Sequence, residues 1–293
     1  MAHILCTGIA VLDVINYVDH FPLENEEMRA THQEHRLGGN SANTASVLSQ
    51  YGHEVTLLTS LADDSASDWL IMQMKLNGID NQYSPRLDGQ TPTSQIILNK
   101  QNGSRTIVHH RDLPELDHTH FSNINLQHFD WFHFESRNIN QTRGMLEKCQ
   151  LECSGRTISL ELEKCRKDDD QLIELANVLM FSRSYVEHLG FTHPQSFLST
   201  QQALHPDKKM TCTWGKAGAY GIEPKSDVIH IPSSSNQAEV IDTIGAGDTF
   251  NAGLVNALLN KADFPKAIAH ACHLATTKIR QQGFDQLISR AFP

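Results

Sequence analysis

The sequence predicts an α/β fold: a mainly parallel central sheet covered by helices on both faces, with a small second β-sheet beside it. Three observations carry this prediction. Short apolar runs flanked by turn residues recur along the chain and have the length of buried strands. Helical patterns lie between many of them, and strands that alternate with helices are joined by crossovers that make their neighbours parallel. One early segment and one later hairpin break the alternation and supply the second sheet.

The strands read in order as Ile4 to Ile9, Val55 to Leu58, Gln95 to Leu98, Trp131 to Phe134, Thr157 to Leu162, Val178 to Phe181 and Met210 to Trp214. The helices are Ser41 to Tyr51, Ala66 to Asn77, Asn140 to Glu152, Asp248 to Leu259 and Phe264 to Gln281. Sheets of this kind bind ligands beyond the carboxyl ends of their strands. The segments that break the pattern are Val14 to Val18 and Met28 to Arg36, with a Pro22 turn between them, and Ser94 to His110, a hairpin about Asn102-Gly103. Residues 14–36 and 94–110 are therefore expected to form the small sheet within one domain spanning residues 1–293.

A chain of 293 residues buries a substantial core. Its 34 acidic against 24 basic side chains give a formal charge of -10, which disfavours nucleic acid and anionic membrane surfaces as partners. The 17 histidines are scattered and show no zinc-binding spacing. Of the six cysteines only Cys149 and Cys153 are close, so reduced thiols and a cytoplasmic location are expected. No apolar stretch approaches the roughly 18 residues needed to cross a bilayer, and the N-terminus lacks a leader pattern.

The string Asp242-Thr243-Ile244-Gly245-Ala246-Gly247-Asp248-Thr249-Phe250-Asn251-Ala252 runs from a small-residue loop into an apolar helix. Gly245, Ala246 and Gly247 let backbone N–H groups approach an anion at the positive end of that helix. Asp248, in the first turn, can cap the helix or accept the proton of a hydroxyl placed beside a phosphate. A bare Gly-x-Gly-Asp would be read as a capped helix after a turn; the eleven-residue string is far more specific. Gly38-Gly39-Asn40-Ser41-Ala42-Asn43-Thr44-Ala45 is a second glycine turn entering a helix, suited either to presenting amides to hydroxyls or to simple capping. Asp13, taken alone, is an acid in a loop.

Both strings resemble the two signatures of the ribokinase, or PfkB, family of carbohydrate kinases, in the right order and at the right separation. The resemblance implies a ribokinase-like three-layer α/β/α fold and ATP-dependent phosphorylation of a sugar hydroxyl. It implies that Asp248 is the general base, that Gly245, Ala246 and Gly247 form the anion hole, and that Asp13, Gly39, Asn40 and Asn43 line the sugar pocket. Arg105, otherwise a solvated strand arginine, is expected to reach the transferred phosphate. In Trp214-Gly215-Lys216-Ala217-Gly218, residues Trp214, Gly215 and Gly218 are expected on the nucleotide side, with Cys272 and the Gly283 loop closing it; Trp214 reads equally as core.

Val11-Leu12-Asp13-Val14-Ile15, Gly103-Ser104-Arg105-Thr106-Ile107, His133-Phe134-Glu135-Ser136-Arg137-Asn138 and Gln282-Gly283-Phe284-Asp285 are similar to the ketohexokinase branch of the family. That likeness implies a ketohexose such as fructose, phosphorylated to the 1-phosphate, and a homodimer in which the small sheets act as lids and clasp one another. Many family members carry Asn-x-x-Glu where this chain has Phe181-Ser182-Arg183-Ser184-Tyr185-Val186-Glu187, without the Asn. Mg²⁺ is expected with ATP, its protein contacts open and Glu161 a substitute candidate. A monovalent cation such as K⁺ near Asp242 is a further family possibility. Other sugars, sugar phosphates recognised through Arg137 or Lys164, nucleosides, and a catalytically silent sugar- or nucleotide-binding regulator remain as alternatives.

Overall fold

The computed structural model describes residues 1–233 and 240–293. Its central sheet has nine strands, in spatial order Ile229–Ile231, Ala219–Ile222, Lys209–Thr213, Val178–Phe181, Thr157–Leu162, Trp131–Glu135, His3–Thr7, Glu54–Leu58 and Ile79–Asp80. From Lys209–Thr213 to Ile79–Asp80 all neighbours are parallel. The first two strands of that order join antiparallel at one edge. Two apolar clusters pack the sheet, one holding Leu48, Val55, Phe250 and Leu274, the other Phe132, Phe134, Leu160 and Phe197. This is the doubly covered architecture that near-continuous apolar strands require.

The second sheet has four strands, in the order His32–Gly38, Val11–Val18, Thr93–Asn99 and Arg105–His110. Its inner residues Ile15, Tyr17, Ile96 and Leu98 cluster with Ile244, so one face rests on the loop that carries the glycine-rich string. The hairpin forms as expected, and Leu98 opposes Arg105.

Most predicted elements lie within a residue or two of their expected bounds, and Thr157–Leu162 and Val178–Phe181 coincide with them. The penultimate long helix begins at Ala246 rather than Asp248, because Gly245, in the left-handed region, serves as its N-cap. The following helix ends at Lys278, short of Gln281. The strand Ala219–Ile222, the edge strand Ile229–Ile231 and the helix Pro194–Leu204 were not predicted.

Candidate active site

Strand ends of the central sheet and the inner face of the small sheet enclose a cavity of about 320 Å³. Ile9, Glu161, Phe181 and Thr213 reach it from the carboxyl ends of parallel strands, as the topology requires. Asp13, Ser94, Arg105 and His109 reach it from the small sheet.

The Asn40–Gln50 helix is fixed against the first strand by one buried carboxylate. Glu135 Oε1 accepts hydrogen bonds from the amides of Ile9 at 3.0 Å and Ser41 at 2.8 Å. Gly39, at φ 97°, precedes that helix; a Cβ there would lie 2.3 Å from the Ile9 carbonyl oxygen. Only glycine allows this turn. Gly38 is equally tight, because a Cβ would meet Asp13 Oδ2 at 2.1 Å. The turn therefore sets the Asp13 carboxylate as well as Asn40 and Asn43. Burial pushes the Asp13 carboxyl up to about 6, against opposing help from Ser94 and Arg36.

Asn43 donates from Nδ2 to Asp248 Oδ2 at 2.7 Å, and its buried Oδ1 has no partner among the described residues. Asp248 does not cap its helix. It sits at the third helical position of Ala246–Leu259, a helix buried without a break from Asp248 to Ala257. Burial raises its carboxyl to about 8, more than the Asn43 hydrogen bond lowers it, with Glu163, Glu135 and Asp13 adding to the rise. Gly245, Ala246 and Gly247 all line the cavity. The first amides of a helix have no carbonyl partner within it, and here, among the described residues, only the Ala246 amide reaches back to one, the Thr243 carbonyl oxygen at 3.4 Å. A Cβ on Gly245 would strike the Phe284 ring at 2.4 Å, whereas one on Gly247 would meet nothing. Arg105 donates to Thr243 Oγ1 at 2.6 Å, which sets its guanidinium over the same loop.

Glu161 is buried, and its Oε2 has no partner among the described residues; Oε1 accepts from Asn40 Nδ2 at 3.1 Å. The same Nδ2 lies 3.3 Å from Glu163 Oε2. Burial raises the Glu161 carboxyl well above its usual range, and the nearby Asp248, Glu135 and Glu163 charges add to this. An orphaned carboxylate oxygen among like charges fits a divalent cation. No group of three or more acidic, His or Cys side chains among the described residues makes a complete metal site, so water and phosphate oxygens would supply the rest. Glu187 is not in the cavity; it pairs with Arg183 at 2.7 Å.

Asp242 begins the glycine-rich string and is wholly buried. Its Oδ1 accepts from the Ile244 amide at 2.8 Å. Its Oδ2 accepts from Arg36 Nη1 and Lys278 Nζ, each at 2.8 Å, and from the Gly283 amide at 3.2 Å. Burial alone would raise this carboxyl, and the Lys278 and Arg36 charges more than offset it, holding it below its ordinary value. Burial lowers Lys278 to about 8, so it remains a cation at neutral pH. With two cations already on one carboxylate, Asp242 does not fit the monovalent cation anticipated beside it.

The nucleotide-side residues lie apart from this cavity, which Thr213 borders but Trp214, Gly215, Gly218, Cys272 and Gly283 do not. Gly215 opens the short turn Gly215–Ala217 after Trp214, whose ring carries the Arg183 guanidinium at 5.1 Å. Gly218 and Cys272 meet at one place: a Gly218 Cβ would lie 2.2 Å from the Ile231 carbonyl oxygen, and Cys272 Sγ is 4.0 Å from the same oxygen. Gly283 lies elsewhere, at Asp242 and Arg36. Sequence reasoning did not select Thr243, Glu163, Arg36 or Lys278; only Thr243, inside the signature string, stood where a motif could have pointed to it.

The family model described as pfkB family carbohydrate kinase matches residues 1–289. Ketohexokinase of Mus musculus is 33% identical over 297 residues, covering 97% of this chain and 98% of its own. Ribokinase of Bacillus subtilis (strain 168) is 25% identical over 285 residues, with 95% and 93% covered. The solved structure of ribokinase from Giardia lamblia has a TM-score of 0.83 at 16% identity, covering 99% of this chain and 98% of that one, a likeness of fold.

Proposed function

Because the chain belongs to the pfkB family of carbohydrate kinases, we propose that it transfers the γ-phosphoryl group of ATP to a ketohexose such as fructose, giving the 1-phosphate. The observation that carries this reading is the place of Asp248, a buried carboxyl between a polyol-binding wall and an anion-binding helix start. Asp13, Asn40 and Asn43 bind sugar hydroxyls, with the unpartnered Asn43 Oδ1 as a ready acceptor. Asp248 takes the proton of the attacking hydroxyl. A base poised near neutrality is matched to that task. The amides of Gly245, Ala246 and Gly247 and the Arg105 guanidinium stabilise the charge on the moving phosphoryl group. Mg²⁺ bound with ATP would neutralise phosphate charge, with Glu161 and Glu163 as the carboxylates on hand to hold it.

The adenine side of this reading is the Trp214–Gly218 turn and the Cys272 face beside Ile231, with the Gly283 loop, tied to Asp242, closing it. The strand Arg105–His110 forms one edge of the small sheet, and Ile107 and Val108 on it are 46% and 66% exposed. A second copy covering this edge would give the homodimer, and would draw the small sheet over the sugar as a lid that excludes water.

Arg137 and Lys164 also line the cavity, which favours a second reading, a sugar phosphate as acceptor. Glu115 already pairs with Arg137 at 2.9 Å and takes up part of that charge. The test is ADP release with MgATP against ketohexoses, aldohexoses, pentoses, nucleosides and sugar phosphates, with the product located by phosphorus NMR. Fructose turned over to its 1-phosphate supports the first reading. Turnover of a sugar phosphate alone replaces it with the second.

A further inference from the structure

Lys278 is the one wholly buried lysine among the described residues, and the phosphoryl transfer outlined above does not use it. It ends the Phe264–Lys278 helix, where the carbonyl-rich terminus favours a cation. Its Nζ touches Asp242 Oδ2 at 2.8 Å and the Asp242 carbonyl oxygen at 3.0 Å, and stands 5.4 Å from the centre of the Phe284 ring. That ring closes the space behind Gly245. An ammonium held by a carboxylate oxygen, a carbonyl oxygen and a ring face has the surroundings of a bound monovalent cation. A buried lysine is costly to keep, and it is kept here against a buried carboxylate that would lose one of its two cations without it.

We propose that Lys278 is a positioning residue that acts as a tethered monovalent cation, pinning Asp242 and through it the anion loop, so that the kinase needs no added K⁺. Arg36 holds the other side of the same oxygen, and both contacts lie three residues before Gly245. A free cation at Oδ2 would meet two like charges at contact range, and a buried site screens them poorly. The loop is therefore set by the chain itself before nucleotide arrives. This inference rests on the kinase reading of the site, and its test keeps the two apart.

The full chain is compared in potassium, sodium and tetramethylammonium chloride at one ionic strength, by ADP release with MgATP and an accepted sugar and by melting temperature. The expected rates agree within about twofold, and K⁺ raises the melting temperature by less than about 1 °C over tetramethylammonium. Lys278→Met should lose about 100-fold in kcat in tetramethylammonium, the scale of a misplaced catalytic loop. Its KM for sugar should hold, and K⁺ or ammonium should restore part of the rate. Stimulation of the unaltered chain by K⁺ of about tenfold or more overturns the proposal, as does a Lys278→Met protein that works as well as the parent. Should that variant fail to fold, the salt comparison on the unaltered chain decides. Should no sugar be turned over, the substrate assignment fails, while a K⁺-specific rise in melting temperature still overturns the tethered cation and its absence still supports it.

Discussion

Asn43 and Asp248 stand 205 residues apart in the chain, yet the amide of one donates to the carboxylate of the other at 2.7 Å in a buried site. The contact joins two glycine turns, at Gly39 and at Gly245. One turn leads into the helix that bears Asn43, and the other opens the helix that bears Asp248. The carboxyl proposed as the base is thus held by a residue whose amide oxygen has no partner among the described residues.

The titration of Asp248 predicts the pH profile of catalysis. Its carboxyl, raised to about 8 chiefly by burial, must be ionised to act as a base. kcat/KM, which reports the free enzyme, should rise tenfold per pH unit below about 8 and level off above it. A profile already flat from pH 6 would remove Asp248 from the role of base.

The same shift has a sign for stability. Asp248 and Asp13 have folded values of about 8 and about 6, above the ordinary value of 3.8. Between the ordinary and the raised values the folded state holds protons that the unfolded chain has lost, so stability falls as pH rises through that window. Urea midpoints should decline from pH 5 to pH 8 in the parent and decline less in Asp248→Asn, a direction opposite to that of a chain whose carboxylates are salt-bridged.

Gly38→Ala should damage sugar binding selectively. A methyl there meets Asp13 Oδ2 at 2.1 Å and must push that carboxylate from its place. KM for sugar should rise by about 10- to 100-fold, the usual consequence of misplacing a binding group. Affinity for ADP, measured by calorimetry, should be unchanged.

Arg36→Met should loosen the small sheet from the catalytic loop. Arg36 lies in the His32–Gly38 strand and donates to Asp242, Tyr17 and Glu34. Removing one partner of a buried ion pair costs about 3 kcal/mol or more, and the remaining Lys278 contact places this case at the lower end. Urea unfolding measures the loss, and an unchanged midpoint would mean that the pair contributes nothing.

Much of the fold was legible because it is written in local pattern. Thr157–Leu162 and Val178–Phe181 are apolar runs of strand length with polar flanks, and their ends coincide with those read from the sequence. The small edge strand Ile229–Ile231 was not legible, since a three-residue run containing His has no pattern to read. The lining of the cavity was legible where it sits inside a motif, as with Asp248, Gly245 and Asn43. It was illegible where a contact is long-range and the residue looks ordinary. Lys278 ends an amphipathic helix and reads as a solvated lysine; only the return of the chain to Asp242, 36 residues earlier, buries it. Gly283 shows the same limit, since its amide contact with Asp242, 41 residues earlier, had no local signal.

The measurement that tests the central claim most directly is turnover of fructose with MgATP by the parent chain beside Asp248→Asn, with melting temperatures of both. Asparagine keeps an oxygen for Asn43 and removes the buried carboxyl. The account predicts sugar-dependent ADP release in the parent, a fall of about 10²- to 10⁴-fold in the variant, and a melting temperature in the variant that is equal or higher at pH 8. A variant that phosphorylates sugar at the parental rate would contradict it.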